Sequence, residues 1–134
     1  MAKKPEPIPP IRAISILVGV IFGCVLAYAY HANLPTLFYE MNVSSLVVFV
    51  AIPTLVGFVV ALIHPAMAMK NGLYAGLFSG LFNSIIATVK LIYVPVLKTG
   101  EVYAFSLFSI MSVFIWMILA AATAMLTYRF YDYD

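Results

Sequence analysis

The chain has 134 residues, of which 65% are hydrophobic and 9% are charged, and its mean hydropathy is +1.09. Soluble domains have roughly 45–50% apolar and about 25% charged residues, so this composition excludes a water-soluble globular domain. No polar stretch is long enough for a separate soluble domain or a nucleic-acid-binding module, and the formal net charge is only +2. The composition predicts an integral membrane protein, with the lipid bilayer as a partner and no nucleic-acid partner.

Four apolar segments are long enough to cross a bilayer as α-helices. A spanning helix needs about 20 mostly apolar residues, because the hydrocarbon core is roughly 30 Å thick. Such segments lie at about 11–30, 44–64, 72–95 and 103–129, and they lack the alternating polarity of membrane β-strands. We therefore predict a single all-α membrane domain, a bundle of four transmembrane helices, with a proline-rich tail at 1–10 and a short tail at 130–134.

The first segment has a competing interpretation as a signal peptide. A basic start, an apolar run and the sequence Ala27-Tyr28-Ala29 resemble a cleavage site. The apolar run is long, however, and the bulky Tyr30 follows it. We expect a retained transmembrane helix.

The basic residues predict the orientation of the bundle. Cytoplasmic loops of membrane proteins carry an excess of Lys and Arg close to the helix ends. One side of this chain has Lys3, Lys4, Arg12, Lys70 and Arg129, whereas the other has Lys90 and Lys98. This asymmetry of five against two places both termini in the cytoplasm of a multi-pass protein of the cell membrane.

Small residues on the third helix form the most informative pattern in the chain. At about 100° per residue, one stripe roughly 80° wide contains Gly72, Gly76, Gly80, Asn83, Ala87 and Lys90. The first helix has a similar stripe with Ser15, Gly19, Gly23 and Ala27. Glycine at every fourth position lets helix backbones approach closely in lipid. We expect both stripes to pack helices together as a glycine zipper.

The acidic residues exclude several classes of transporter. Glu6, Glu40, Glu101, Asp132 and Asp134 all lie outside the predicted spans. Proton-coupled carriers and rotary rings depend on an ionisable group within the membrane, usually a carboxylate. The sequence therefore offers no carboxylate for such transport.

The sequence also lacks the residue patterns of catalytic and metal sites. His31 and His64 lie at opposite ends of the predicted bundle, too far apart to share a metal, and Cys24 is alone. We expect each histidine to bond to water, a lipid headgroup or a backbone carbonyl. No phosphate-binding loop, nucleophile elbow, haem motif or zinc motif is present. The sequence predicts no catalytic residue, no metal and no cofactor, and hence no enzyme.

Three residues within the spans form a possible polar site. Asn83 lies near mid-span, where we expect a hydrogen bond between helices. Lys90 is expected to extend its ammonium group to the membrane surface, or alternatively to face the bundle and meet an anionic ligand, a lipid phosphate or a partner's carboxylate. Trp116 is expected to fill the space opposite the glycines, with a quinone or lipid-tail pocket as the alternative.

Two functional interpretations carry the most weight. The first is a non-catalytic accessory or structural subunit that packs beside other subunits of a larger membrane complex. The alternative is a small homo-oligomeric channel or carrier, with Lys90 and Asn83 on its pathway. A single bundle of four helices is too thin to enclose a wide pore, so the alternative requires self-association.

Overall fold

The described residues form four α-helices and no strand. A computed structural model describes residues 6–33, 43–93 and 99–130, with side chains at 6–32, 46–89 and 107–130. The helices are α1 (Pro9–Asn33), α2 (Val43–Ile63), α3 (Ala68–Tyr93) and α4 (Thr99–Phe130). Each is long and apolar enough to cross a membrane. The predicted multi-pass helical membrane fold is confirmed at this level.

The compositions of Lys70-Asn71-Gly72 and Lys98-Thr99-Gly100 predict turns, and both predictions are wrong, because α3 begins at Ala68 and α4 at Thr99. Hydropathy locates the apolar part of a helix, whereas both of these helices begin with a polar turn. The sequence Lys70-Asn71-Gly72, which has the composition of a turn, is therefore helical, and so is Thr99-Gly100.

The chain reverses between α2 and α3 at residues 64–67. The carbonyl of Pro65 accepts the N–H of Ala68 at 3.2 Å, and Met67 adopts a left-handed φ of 58°. Proline ends α2 because it has no N–H to continue the helical pattern. A left-handed residue is uncommon for a side chain such as methionine, so the surrounding contacts have to hold this turn in place.

The helices run alternately up and down. Gly19 faces Ala75 and Gly23 faces Ser79, so α1 and α3 are parallel. The bond between Ser84 and Ser109 and the contact of Gly76 with Trp116 make α4 antiparallel to α3. We call the end where α1 begins and α4 ends the proximal end, and the opposite one the distal end.

The central pair of the bundle is α2 and α3. These two helices contact each other, and each also contacts both α1 and α4. Within the described residues, the backbones of α1 and α4 do not approach each other. The helices therefore form a rhombus in cross-section, with α1 and α4 at the far corners.

The carbonyl of Ala120 on α4 lies against glycines of two helices. A Cβ atom added at Gly72 would lie 2.7 Å from this carbonyl oxygen, and one added at Gly57 of α2 would also collide with it. One turn along α3, a Cβ at Gly76 would lie 2.6 Å from the carbonyl oxygen of Trp116. Glycine is required at these positions because the backbone of α4 occupies the space of a side chain.

The glycines of α1 make the second close approach. A Cβ at Gly23 would lie 2.6 Å from the Cβ of Ser79 on α3 and 2.9 Å from a methyl group of Val56 on α2. Gly19 is in close contact with Val60 of α2. Both glycines of α1 therefore sit at the groove between α2 and α3.

Buried side chains become larger from the proximal to the distal end. The proximal cluster of the core is Ala61, Ala68 and Ala124, the middle one is Val56, Val60, Ala75 and Ala120, and the distal one is Ala27, Tyr30, Phe49, Ile52 and Trp116. Large apolar side chains cover the outside of all four helices, as a lipid environment requires. Alanines bring the helices together proximally, and aromatic rings fill the wider distal half.

The contact at Gly76 gives a first prediction. We expect Gly76→Ala to lower the free energy of unfolding in detergent by about 1–3 kcal/mol, because its methyl group would force α4 away from α3. Gly80→Ala is the matched control, since its Cβ would lie 3.2 Å from the Cα of Val113 and needs a smaller shift. Thermal unfolding followed by circular dichroism measures both. A Gly76→Ala protein as stable as the wild type would contradict this packing.

Candidate functional site

Most buried hydroxyl groups are satisfied within their own helix. The buried Ser79 and Thr127 donate to the carbonyl four residues earlier, and the less buried Thr54, Thr88 and Thr123 do the same. The buried Ser112 donates to the carbonyl three residues earlier. Such bonds satisfy the hydroxyl group within a single helix and do not connect one helix to another. Ser15 bonds to the carbonyl of Val60 and Ser84 to Ser109 across helix pairs. The other polar side chains that connect helices form two groups, a distal polar cluster of His31 and Asn83, taken together with the buried Trp116 of the distal core, and a proximal polar cluster of Arg12, His64 and Asn71.

The distal polar cluster contains a buried bond between α1 and α3. His31 Nε2 lies 2.7 Å from Asn83 Oδ1, and the two side chains are 1% and 0% exposed. Because an amide oxygen only accepts hydrogen bonds, the ring nitrogen is the donor. The ring of His31 therefore carries a proton on Nε2.

Trp116 of the distal core carries a further buried donor. Its side chain is fully buried, and its ring lies against Phe49 with the ring centroids 5.8 Å apart. Among the described residues, neither the indole Nε1 of Trp116 nor the side-chain nitrogen of Asn83 has a hydrogen-bond acceptor. An unsatisfied buried donor costs about 1–3 kcal/mol. Chemically, both groups can donate to an oxygen acceptor and neither can act as a nucleophile or a base.

Sequence reasoning predicted part of this cluster. Asn83 makes a bond between helices, and the Cβ of Trp116 would lie 3.3 Å from a Cβ added at Gly80. The asparagine partner of His31 was missed, because periodicity within a helix does not reveal how two helices are aligned. Side chains on a helix lean toward its N-terminus, so His31 reaches back along α1 to the level of Asn83. The side chain of Lys90, the third residue of the predicted polar site, lies outside the described part of the structure.

The proximal polar cluster fixes the start of α1 to the turn between α2 and α3. The backbone N–H of Ile8 donates to His64 Nε2 at 3.1 Å, and Arg12 Nε donates to Asn71 Oδ1 at 2.8 Å. Asn71 in turn donates to the carbonyl of Ala66 at 3.1 Å. These bonds hold together the beginnings of two helices and the turn that carries the left-handed methionine.

His64 was expected to bond to water, a lipid headgroup or a backbone carbonyl. Its partner in the structure is instead the backbone N–H of Ile8. The first N–H groups of a helix have no acceptor within the helix, and the N–H of Ile8 uses the imidazole instead. Because a backbone N–H only donates, His64 Nε2 must be the unprotonated nitrogen of the ring. His64 is 3% exposed, so burial separates it from bulk water.

Neither cluster resembles a metal or redox centre. Within the described part of the chain, no three His, Cys, Asp or Glu side chains come close enough to hold a metal ion. Cys24 is a partly buried free thiol on α1. Comparison with protein-family models, with curated proteins and with solved structures finds no match to this chain.

A double-mutant cycle measures the bond between His31 and Asn83. We expect the single variants His31→Ala and Asn83→Ala to be non-additive, with a coupling energy of about 0.6–2 kcal/mol in the free energy of unfolding. Thr88→Ala is the control, because this exposed hydroxyl bonds only within α3 and should be additive with His31→Ala. Additivity of His31→Ala with Asn83→Ala would show that the bond contributes nothing.

Proposed function

We propose that this chain is a non-catalytic structural or accessory subunit of a larger membrane assembly. The observation that supports this function best is the filled interior of the bundle. Between the two polar clusters, the core consists of Val56, Val60, Ala75 and Ala120, and all four are fully buried. An apolar, close-packed layer of this kind gives a solute no path through a single chain. The chain then acts through its outer surface.

The outer surface suits lipids and the transmembrane helices of other subunits. Every helix exposes large aliphatic side chains, for example Val25 on α1, Val47 on α2, Ile85 on α3 and Ile118 on α4. Transmembrane helices associate through van der Waals packing and a few hydrogen bonds, for which such surfaces are sufficient. Self-association through the same surface is compatible with a structural role.

The position of Asn83 favours the subunit over the channel. A pathway between copies of the chain has to run along an outer surface, whereas Asn83 is fully buried and bonded to His31. Of the two residues predicted to line the pathway, Asn83 is therefore excluded and Lys90 is left.

We also propose that both termini lie in the cytoplasm of a cell and that the glycine stripes act as a glycine zipper in the bilayer. The proximal end carries Arg12, Lys70 and Arg129, in keeping with the rule that cytoplasmic ends are the more basic. The close contacts of Gly19, Gly23, Gly72, Gly76 and Gly80 with neighbouring helices support the zipper.

Thiol labelling tests the orientation. In a Cys24→Ser background, we expect Asn42→Cys to react with a membrane-impermeant maleimide on intact cells, because the connection between α1 and α2 is predicted to lie outside. Glu6→Cys should react only after the membrane has been permeabilised. The reverse pattern would place both termini outside the cytoplasm.

Purification from native membranes tests the proposed function. After extraction in a mild detergent, we expect mass spectrometry to identify other membrane proteins in stoichiometric amounts with this chain. Liposomes containing the purified chain should show no ion flux above that of empty liposomes. A homo-oligomer whose flux is abolished by Lys90→Met would instead establish the channel.

A further inference from the structure

An apolar groove runs along the outside of the bundle between α1 and α3. It has a volume of about 640 Å³ and is open to the surrounding membrane. Its lining includes Ala13, Leu17, Val20 and Cys24 from α1 and Phe78 and Ile85 from α3. Because α1 and α3 are parallel, the groove follows the direction of both helices.

A cation, Arg12, lies next to the proximal end of the groove. Arg12 precedes the first lining residue of α1, and its guanidinium carbon lies 6.0 Å from the centre of the Tyr74 ring on α3. Its Nε is held by the buried Asn71 at 2.8 Å. Among the described residues, none accepts a hydrogen bond from the two Nη groups of Arg12. The side chain is thus fixed by one nitrogen and has four N–H donors available.

The α1 side of the groove is about as long as one leaflet of a bilayer. From Ala13 to Cys24 the α1 helix rises about 16 Å at roughly 1.5 Å per residue. Half of the hydrocarbon core is about 15 Å thick. The α1 side of the groove therefore spans about one leaflet, and the α3 side continues beyond it, because Ile85 lies six residues past Ser79, which faces Gly23.

We propose that this groove binds one anionic phospholipid, with an acyl chain against α1 and α3 and the phosphate at Arg12. Guanidinium groups bind phosphate oxygens through paired, charge-assisted hydrogen bonds. The N-termini of α1 and α3 both lie at this end, and their dipoles add to the attraction for a negative charge. The proposal does not depend on the proposed function, since it concerns the isolated chain.

Native mass spectrometry of the purified full-length chain tests the site. Protein is equilibrated with equal amounts of phosphatidylglycerol and phosphatidylcholine in detergent, and the retained lipid is measured. We expect one tightly held lipid per chain, with phosphatidylglycerol preferred by about fivefold, the effect of one basic residue near anionic lipid. Excess inorganic phosphate should not displace it, because the acyl chain supplies much of the binding. Equal retention of both lipids, or displacement by inorganic phosphate, would overturn the proposal.

Three variants separate the headgroup from the acyl chain. Arg12→Gln keeps an N–H donor near Asn71 but removes the charge, and it should abolish the preference for phosphatidylglycerol. Ala13→Phe fills the groove without altering Arg12, so it should reduce the retention of both lipids even if Arg12→Gln fails to fold. Arg129→Gln, which removes the same charge from an exposed position on α4, is the matched control and should retain the preference. Unchanged retention in Ala13→Phe would overturn the proposal.

Discussion

The contact of the Ala120 carbonyl with Gly57 and Gly72 sets the spacing of α2, α3 and α4. In a bilayer each helix satisfies its own backbone hydrogen bonds, and lipid tails compete with any apolar attraction between helices. Van der Waals contact between helix surfaces of complementary shape then holds the helices together. A side chain at either glycine would separate α4 from a neighbour and loosen the fit of the Trp116 ring against Phe49.

Features that depend on one helix at a time could be predicted from the sequence. Hydropathy and length predicted four helices that are long and apolar enough to span a membrane. The polar beginnings of α3 and α4 could not be found in this way, because hydropathy is insensitive to a helical turn that lies outside the apolar stretch.

Features that depend on the alignment of two helices could not be predicted. Both histidines were placed at helix ends, but the partner of each lies more than 50 residues away along the chain: Asn83 for His31 and the backbone N–H of Ile8 for His64. The contacts of Gly19 with Ala75 and Gly23 with Ser79 reveal the alignment that brings His31 near Asn83. The sequence contains no local signal of that alignment. For this reason the helices could be predicted from the sequence, whereas the polar clusters could be identified only in the structure.

The rhombic arrangement has a consequence for how the protein is made. Helices of a membrane protein emerge from the ribosome in chain order, and earlier segments are in place before later ones are complete. Because α1 contacts α2, α3 contacts both of these, and α4 contacts α2 and α3, each new helix meets a partner that has already been synthesised. No contact between two helices depends on a helix that is synthesised later than both. Assembly can therefore proceed in the order of translation, with α4 closing the side of the bundle opposite α1.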